Sequence, residues 1–266
     1  MSTSRSLVRI MPGMAKSPSG ESVLTRAVRI LDAFGPDDQV LTVTEISHRA
    51  QLPLPTAGRM VGELVRHGLL RRDEDRRVRI GVRLWELAQR ASPTLRLREV
   101  VMPFMEDVHA VVGHSTQLGV LDGDEVLFVE RLSAPGAVIN LTRIAGRLPL
   151  HVSSAGQVLL AHAPVELQER VLRQPMHART PETITDPGAL RAVLAGVRER
   201  GYACCPGHVH PDATGVAVPL RGADGRVLAA LGLVIPNDDR AWSRVALLQS
   251  AARGIDRTLR SGTLIH

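Results

Sequence analysis

Apolar residues recur along this chain in two rhythms. Val23, Ala27, Ile30, Leu31 and Phe34 fall on one helical stripe. Gly35-Pro36 is a stop signal for that helix. Thr42 with Glu45 three residues later has the form of a capping box, opening a helix to about Ala50. Gln51-Leu52-Pro53 breaks it. Pro55 suits the first position of the next helix, where its missing N–H costs nothing, and Gly68 ends that helix. Residues 69–72 and 77–80 read as short strands around the polar turn Asp73-Glu74-Asp75-Arg76. Helix, helix, turn, helix and hairpin is the order of a winged helix-turn-helix, here over 21–81.

Residues 82–112 read as linking or dimerising helices, separated at Ser92-Pro93 and interrupted again at Pro103. Leu97, Val101, Phe104, Val108 and Val111 form their stripe. The rhythm then changes. Strands are expected at 115–121 and 125–132 around Asp122-Gly123-Asp124, and again at 137–144. Helices are expected near 153–162, 164–173 and 186–200. Strands follow at 213–220 and 226–235, around Gly222-Ala223-Asp224-Gly225. A last helix over 238–260 carries Ala241, Val245, Leu248, Ala252, Ile255 and Leu259 on one stripe. The fold class is α+β, with an antiparallel sheet flanked by helices over 113–262. Residues 1–20 show no sustained periodicity and read as a flexible tail.

Charge changes the picture. Of the 266 residues, 1–98 hold 17 Lys and Arg against 10 Asp and Glu, whereas the remainder holds 16 against 17. The whole net charge of +6 therefore belongs to the first third, which points to a polyanionic partner there. On a helical wheel Ala57, Met60, Val61 and Leu64 turn inward, while Pro55, Thr56, Arg59, Glu63 and Arg66 turn outward, with Gly62 at the edge of the polar face. Arg59 can grip guanine or a phosphate, and Thr56 a phosphate or a thymine methyl. Arg71, Arg72, Arg76 and Arg77 occupy the wing, where phosphate and minor-groove contacts are expected. Thr44 on the preceding helix completes the DNA-facing set. An ordinary polar surface or a protein-binding winged helix remains open at this point.

No apolar run approaches the roughly 18 residues that span a bilayer, and the first 20 residues lack a continuous apolar core. The adjacent Cys204 and Cys205 suit a disulfide poorly, so a reduced cytoplasmic protein is expected. There is no Gly-rich phosphate loop, and no cofactor is expected.

Leu52-Pro53, Thr56 with Arg59, Gly68-Leu69-Leu70 and Arg79-Ile80-Gly81 stand in an order that resembles the IclR family. So do GRLPLHVSSAGQVLLA and GYACCPGHVHPDATGVAVPLRGADGRVLAALGLVIP, and the likeness covers roughly residues 22–262. The resemblance implies a transcription regulator that reads double-stranded DNA at a palindromic operator. It implies a homodimer or dimer of dimers, with a GAF-like C-terminal domain binding a small organic acid. It places effector contacts at Leu148 and at the backbone of Ser154, Ala155 and Gly156, where a helix N-terminus favours a carboxylate. Other contact positions fall on Cys205, Gly215, Gly232 and Val234. The family often has acidic, Cys or Ser groups there, and often Lys where this chain has Gln157. The lost polar contacts and opened space point to a larger or more apolar effector, such as an aromatic or acyl-bearing acid.

Cys204, Cys205, His208 and His210 form a local cluster with a second reading, as a metal site or thiol nucleophile in an enzyme or metal sensor. Adjacent cysteines followed by His-x-His match no common zinc module, and nothing marks an oxyanion hole. The expected protein is not an enzyme.

Overall fold

The computed structural model describes residues 21–35, 38–91, 93–238 and 240–261. The expected tail over 1–20 lies outside these residues, as do Pro36, Asp37 and Ser92 of the expected punctuation. The chain divides into two compact units, one up to Arg90 and one from Ala91.

In the first unit α1 (Val23–Asp32) is capped by Ser22, whose hydroxyl accepts the Thr25 N–H at 3.0 Å. Ile30 is its buried anchor, while Val23, expected on the same stripe, is exposed in the first turn. The helix-turn-helix is α2 (Val43–Arg49) and α3 (Leu54–Arg66). The capping box forms: the Thr42 hydroxyl accepts the Glu45 N–H, and the Glu45 carboxylate accepts the Thr42 N–H at 2.7 Å. These bonds from Thr42 hold the Glu45 carboxyl below its ordinary range. The turn after α2 places Gln51 at φ 51°, a left-handed conformation. Two side chains fasten it. Arg29 of α1 donates to the carbonyls of Ala50 and Gln51, and the Ser47 hydroxyl donates to Leu52 O at 2.7 Å. The carbonyls of the turn are thereby held by side chains of the same unit.

Leu54 opens α3, so Pro55 is its second residue rather than its first. The missing N–H still falls among the four that have no intrahelical acceptor. Ala57, Met60, Val61 and Leu64 are buried with Ile30, Ile46, Leu70 and Val78 in one aliphatic core. The wing is β2 (Leu70–Arg72) and β3 (Val78–Ile80). A two-residue strand that the pattern does not announce, β1 (Val40–Leu41), pairs with β3 and gives the order β1-β3-β2. It is too short to show alternation. After the wing comes α4 (Val82–Ala91).

The second unit is an antiparallel six-stranded sheet in the order β6-β5-β4-β9-β8-β7, covered on both faces. Its strands are β4 (Ser115–Asp122), β5 (Glu125–Leu132), β6 (Arg147–Pro149), β7 (Ala203–Pro206), β8 (Ala213–Arg221) and β9 (Val227–Pro236). One face is covered by α5 (Pro93–Val112) and α9 (Val245–Ser261), over Leu118, Val216, Val218, Leu231 and Leu233. The other is covered by α6 (Ser154–Ala161), α7 (Val165–Arg173) and α8 (Pro187–Arg200). β4, β8 and β9 alternate, large aliphatic toward α5 and α9, small toward α6, where Gly119, Ala217 and Ala230 lie, whereas β5 turns Val126 and Phe128 toward α6. Small residues let α6 approach the sheet closely.

Three expectations need correction. Pro103 does not interrupt α5, which runs through it. Pro103 and Glu99 both face solvent, so water can take the carbonyl that Pro cannot serve, while buried Val101 and Met105 hold the two turns in line. The buried stripe ends on Val112, leaving Val111 exposed, because the true helical face runs 97, 101, 105, 108, 112. Residues 137–144 form no strand. The amide of Thr142 bonds its neighbour's side chain, Asn140 Oδ1, at 2.9 Å, and the free edge of β5 is taken by 145–149 instead. The short β6 and β7 had no readable alternation.

Gly81 shows the tightest backbone approach in the first unit. A Cβ there would lie 2.1 Å from the Gly68 carbonyl oxygen, an atom held at a φ of +73°. Gly81→Ala is expected to destabilise the winged unit by about 2–3 kcal/mol. Faster hydrogen exchange across α3, with the second unit unchanged, would show it.

Candidate nucleic-acid interface and ligand pocket

The outer surface of α3 carries exposed Pro55, Arg59 and Glu63 and half-buried Thr56, with Thr44 exposed on α2. These side chains are not equivalent. Glu63 is paired with Arg66 on the same face, so each neutralises the other. Arg59 makes no hydrogen bond or ion pair among the described residues. Gly62 is exposed, and a Cβ there would meet nothing within 4 Å, so no neighbour in the chain demands a glycine.

All four wing arginines, Arg71, Arg72, Arg76 and Arg77, are exposed. Arg71 stands 3.8 Å from Asp73, which also pairs with Arg79. Arg77 lies near the Glu45 carboxylate. The guanidinium groups of Arg72 and Arg76 have no partner among the described residues. Arg76 also sits at φ 64°, where any residue with a Cβ is strained by about 1 kcal/mol. Among the described residues Arg59, Arg72 and Arg76 therefore have their forks of donors uncommitted, and Arg77 is linked to Glu45 only through its charge. Counting arginines could not separate them from the paired ones, because the pairing partners arrive only when the hairpin folds.

In the second unit every residue of α6 is buried. Its N-cap, Ser153, accepts the Gly156 N–H at 3.1 Å. The amides of Ser154 and Ala155 find no acceptor among the described residues. The Ser154 hydroxyl, 1% exposed, has no partner either. Beside this helix start lies a cavity with about 400 Å³ of space free of atoms, part of it open to solvent. Its floor is the cross-strand row Cys205, Gly215 and Val234, in register on β7, β8 and β9. Gly215 leaves room for that hydroxyl: a Cβ would come 2.9 Å from Ser154 Oγ and force it to turn.

Of the sequence-predicted contacts, Leu148, Ser154, Cys205, Gly215 and Val234 line this cavity. Ala155, Gly156 and Gly232 do not. Ala155 is in the core between α6 and the sheet. Gly156 lies against the backbone of Leu150, where a Cβ would meet the carbonyl oxygen at 2.4 Å. Gly232 lies beneath the Gln117 side chain. The prediction missed Gln117, Ile139, Asn140, Leu141, Thr142, Ser153, Val209, His210 and Ala213. Four of these belong to the stretch read as a strand, and no local pattern says that it crosses the mouth of a cavity. Among the described residues no Lys, Arg, Asp or Glu lines the cavity. An anion there would meet neutral donors and the positive end of α6.

The Cys/His cluster does not assemble as a chelate. Consecutive residues of a strand face opposite ways: Cys204 packs into the core under α5 and α9, while Cys205 faces the cavity. Burial pushes the Cys204 thiol up to about 11 and Cys205 well above the usual thiol range, and it pushes the His208 and His151 imidazoles down. Near neutral pH the thiols are protonated and these imidazoles uncharged, the reverse of an activated Cys–His pair. Among the described residues no three His, Cys, Asp or Glu side chains are placed to hold one metal ion, and no helix is long and apolar enough to cross a membrane. Alkylation of the native thiols by iodoacetamide at pH 8 should run at least about tenfold slower than in the urea-unfolded chain, the Cys204 rate rising only as pH nears 11.

Residues 23–74 match the IclR helix-turn-helix domain, and residues 89–257 match the bacterial transcriptional regulator IclR C-terminal family. An IclR homolog from Microbacterium hydrocarbonoxydans, complexed with 4-hydroxybenzoate, is 49% identical with a TM-score of 0.87, covering 91% of this chain and 100% of that one. An IclR homolog from Microbacterium sp. strain HM58-2 is 47% identical with a TM-score of 0.61, covering 91% and 99%. The HTH-type transcriptional regulator XynR of Escherichia coli (strain K12) is 31% identical over 210 residues, 78% of this chain and 83% of the relative. With a DNA-binding helix-turn-helix unit followed by a ligand-binding unit, the chain belongs to the IclR family of transcriptional regulators.

Proposed function

We propose that this regulator responds to an aromatic monocarboxylic acid held in the α6 cavity. One observation carries the reading: a buried, unpartnered Ser154 hydroxyl beside two uncommitted amides, at the positive end of a buried helix. A buried donor without an acceptor costs about 1–3 kcal/mol, and a carboxylate removes that penalty. The remaining wall is largely apolar, with Ile139, Leu141, Leu148, Val209 and Val234. A ring covers that wall, whereas a two- or three-carbon keto acid leaves it wet. The 4-hydroxybenzoate complex of the 49%-identical neighbour supports the same class of ligand.

The protein acts without catalysis, in the cytoplasm, as a homodimer or dimer of dimers. Paired α3 helices enter major grooves of an imperfectly palindromic operator. The effector changes operator affinity by preferring one arrangement of the paired DNA-reading units.

Calorimetric titration tests the effector. Benzoate-type acids should bind, with glyoxylate and pyruvate at least about tenfold weaker, and Ser154→Ala should weaken every aromatic acid about tenfold without altering operator affinity in its absence. Tight pyruvate binding with no binding of aromatic acids would sink the reading. On the DNA side, Arg76→Gly relieves the left-handed strain and should stabilise the winged unit by about 1 kcal/mol. It should nevertheless weaken operator binding and lower the salt slope by about one. Unchanged binding in gel-shift titrations over a salt series would remove Arg76 from the interface.

A further inference from the structure

The far side of the cavity carries a second polar group with an unusual inventory. The Thr142 hydroxyl lies 2.6 Å from Asn140 Oδ1 and 2.7 Å from Gln117 Oε1. It has one proton and cannot donate to both oxygens. The Thr142 N–H fixes which end of Asn140 is oxygen, since it donates to Oδ1 at 2.9 Å. The hydroxyl proton therefore goes to Asn140. Gln117 must then turn its amide through 180° and give its NH2 to the Thr142 oxygen, because two bare oxygens at 2.7 Å repel. Its carbonyl oxygen is left uncommitted in the cavity that Gln117 lines. On the other flank Asn140 Nδ2 is buried and has no partner.

The cradle is held from outside. Arg131 on β5 donates to the carbonyl oxygens of Asn140, at 3.4 Å, and Thr142, fixing the irregular stretch that carries both residues. Gly232 lies under Gln117: a Cβ there would come 3.4 Å from Gln117 Cγ. Asn140 and Gln117 both line the cavity, so the cradle holds one donor without a partner among the described residues, the Asn140 NH2, and one free acceptor, the Gln117 carbonyl. A hydroxyl group, which accepts and donates, satisfies both. A carboxylate only accepts, so the Gln117 oxygen repels it, and it belongs at α6.

Building on the aromatic-acid reading, we infer that Gln117 and Asn140 form a subsite for a ring hydroxyl, making this a sensor of hydroxylated aromatic acids rather than of aromatic acids in general. Thr142 is a positioning residue that sets the polarity of both amides.

The test compares calorimetric affinities for 4-hydroxybenzoate and 4-methylbenzoate, which replaces the hydroxyl by a methyl of similar size. The full-length protein should prefer the hydroxy acid by about tenfold or more. Asn140→Ala and Gln117→Met should each bring that ratio to within about threefold of one. Ser154→Ala should weaken both acids and keep the ratio. Thermal melting checks each variant, and two positions are used so that loss of fold at one leaves the other to decide. A full-length protein with no preference, or a ratio kept in a folded variant at either position, overturns the hydroxyl subsite while leaving the aromatic-acid reading intact. Failure of both acids to bind the full-length protein overturns the two together.

Discussion

A helix whose N-terminus is buried has to find acceptors for its first amides, and the ligand-binding unit is arranged around that constraint. All of α6 is buried, so its first amides face protein and the cavity rather than an open surface. Ser153 meets one demand by capping the Gly156 amide. The Ser154 and Ala155 amides and the Ser154 hydroxyl are left, in a low-dielectric place where each uncommitted donor is costly. The helix reaches this position because the sheet beneath it is trimmed of side-chain bulk at Gly119, Gly215, Ala217 and Ala230, and because Gly156 lies directly on the Leu150 backbone. Close packing and unmet hydrogen bonding are two results of one geometry. The same geometry leaves hydrogen-bond donors without acceptors at one end of the cavity.

The DNA-reading unit depends on an analogous economy of partners. Its arginines are numerous, but several are spent inside the unit. Arg29 closes the turn between α2 and α3, Arg49 binds Asp38 at 2.9 Å, Arg66 meets Glu63, and Arg71 and Arg79 gather on Asp73. Among the arginines of α3 and the wing, Arg59, Arg72 and Arg76 remain without a side-chain partner among the described residues. Asp73 in the wing therefore acts as an organiser, committing Arg71 and Arg79 to the hairpin while the Arg72 and Arg76 guanidinium groups keep no partner among the described residues. Arg76 also holds a left-handed backbone conformation in which glycine would be cheaper.

Sequence and structure parted where long-range pairing overrode local pattern. The stretch 137–144 alternates well enough to read as a strand, yet Asn140 and Thr142 bond each other and line the cavity. Pro103 reads as a break, yet its exposed position lets α5 continue. The spaced cysteine and histidine side chains read as a cluster, yet strand alternation turns Cys204 and Cys205 to opposite faces.

The sequence by itself determined the helix periodicities, the capping box at Thr42, the buried and outward faces of α3, the lopsided charge, the family and the main floor residues of the cavity. Those features are local, or they are carried by motifs whose spacing is short. Only the tertiary structure decided which arginines stay unpaired, that Ala155, Gly156 and Gly232 stand outside the cavity lining, and that Gln117, Asn140 and Thr142 form a polar cradle on its far side. Each of those depends on groups distant in the chain meeting at hydrogen-bonding distance, and that meeting is set by sheet register and close backbone packing, which no single stretch of residues encodes.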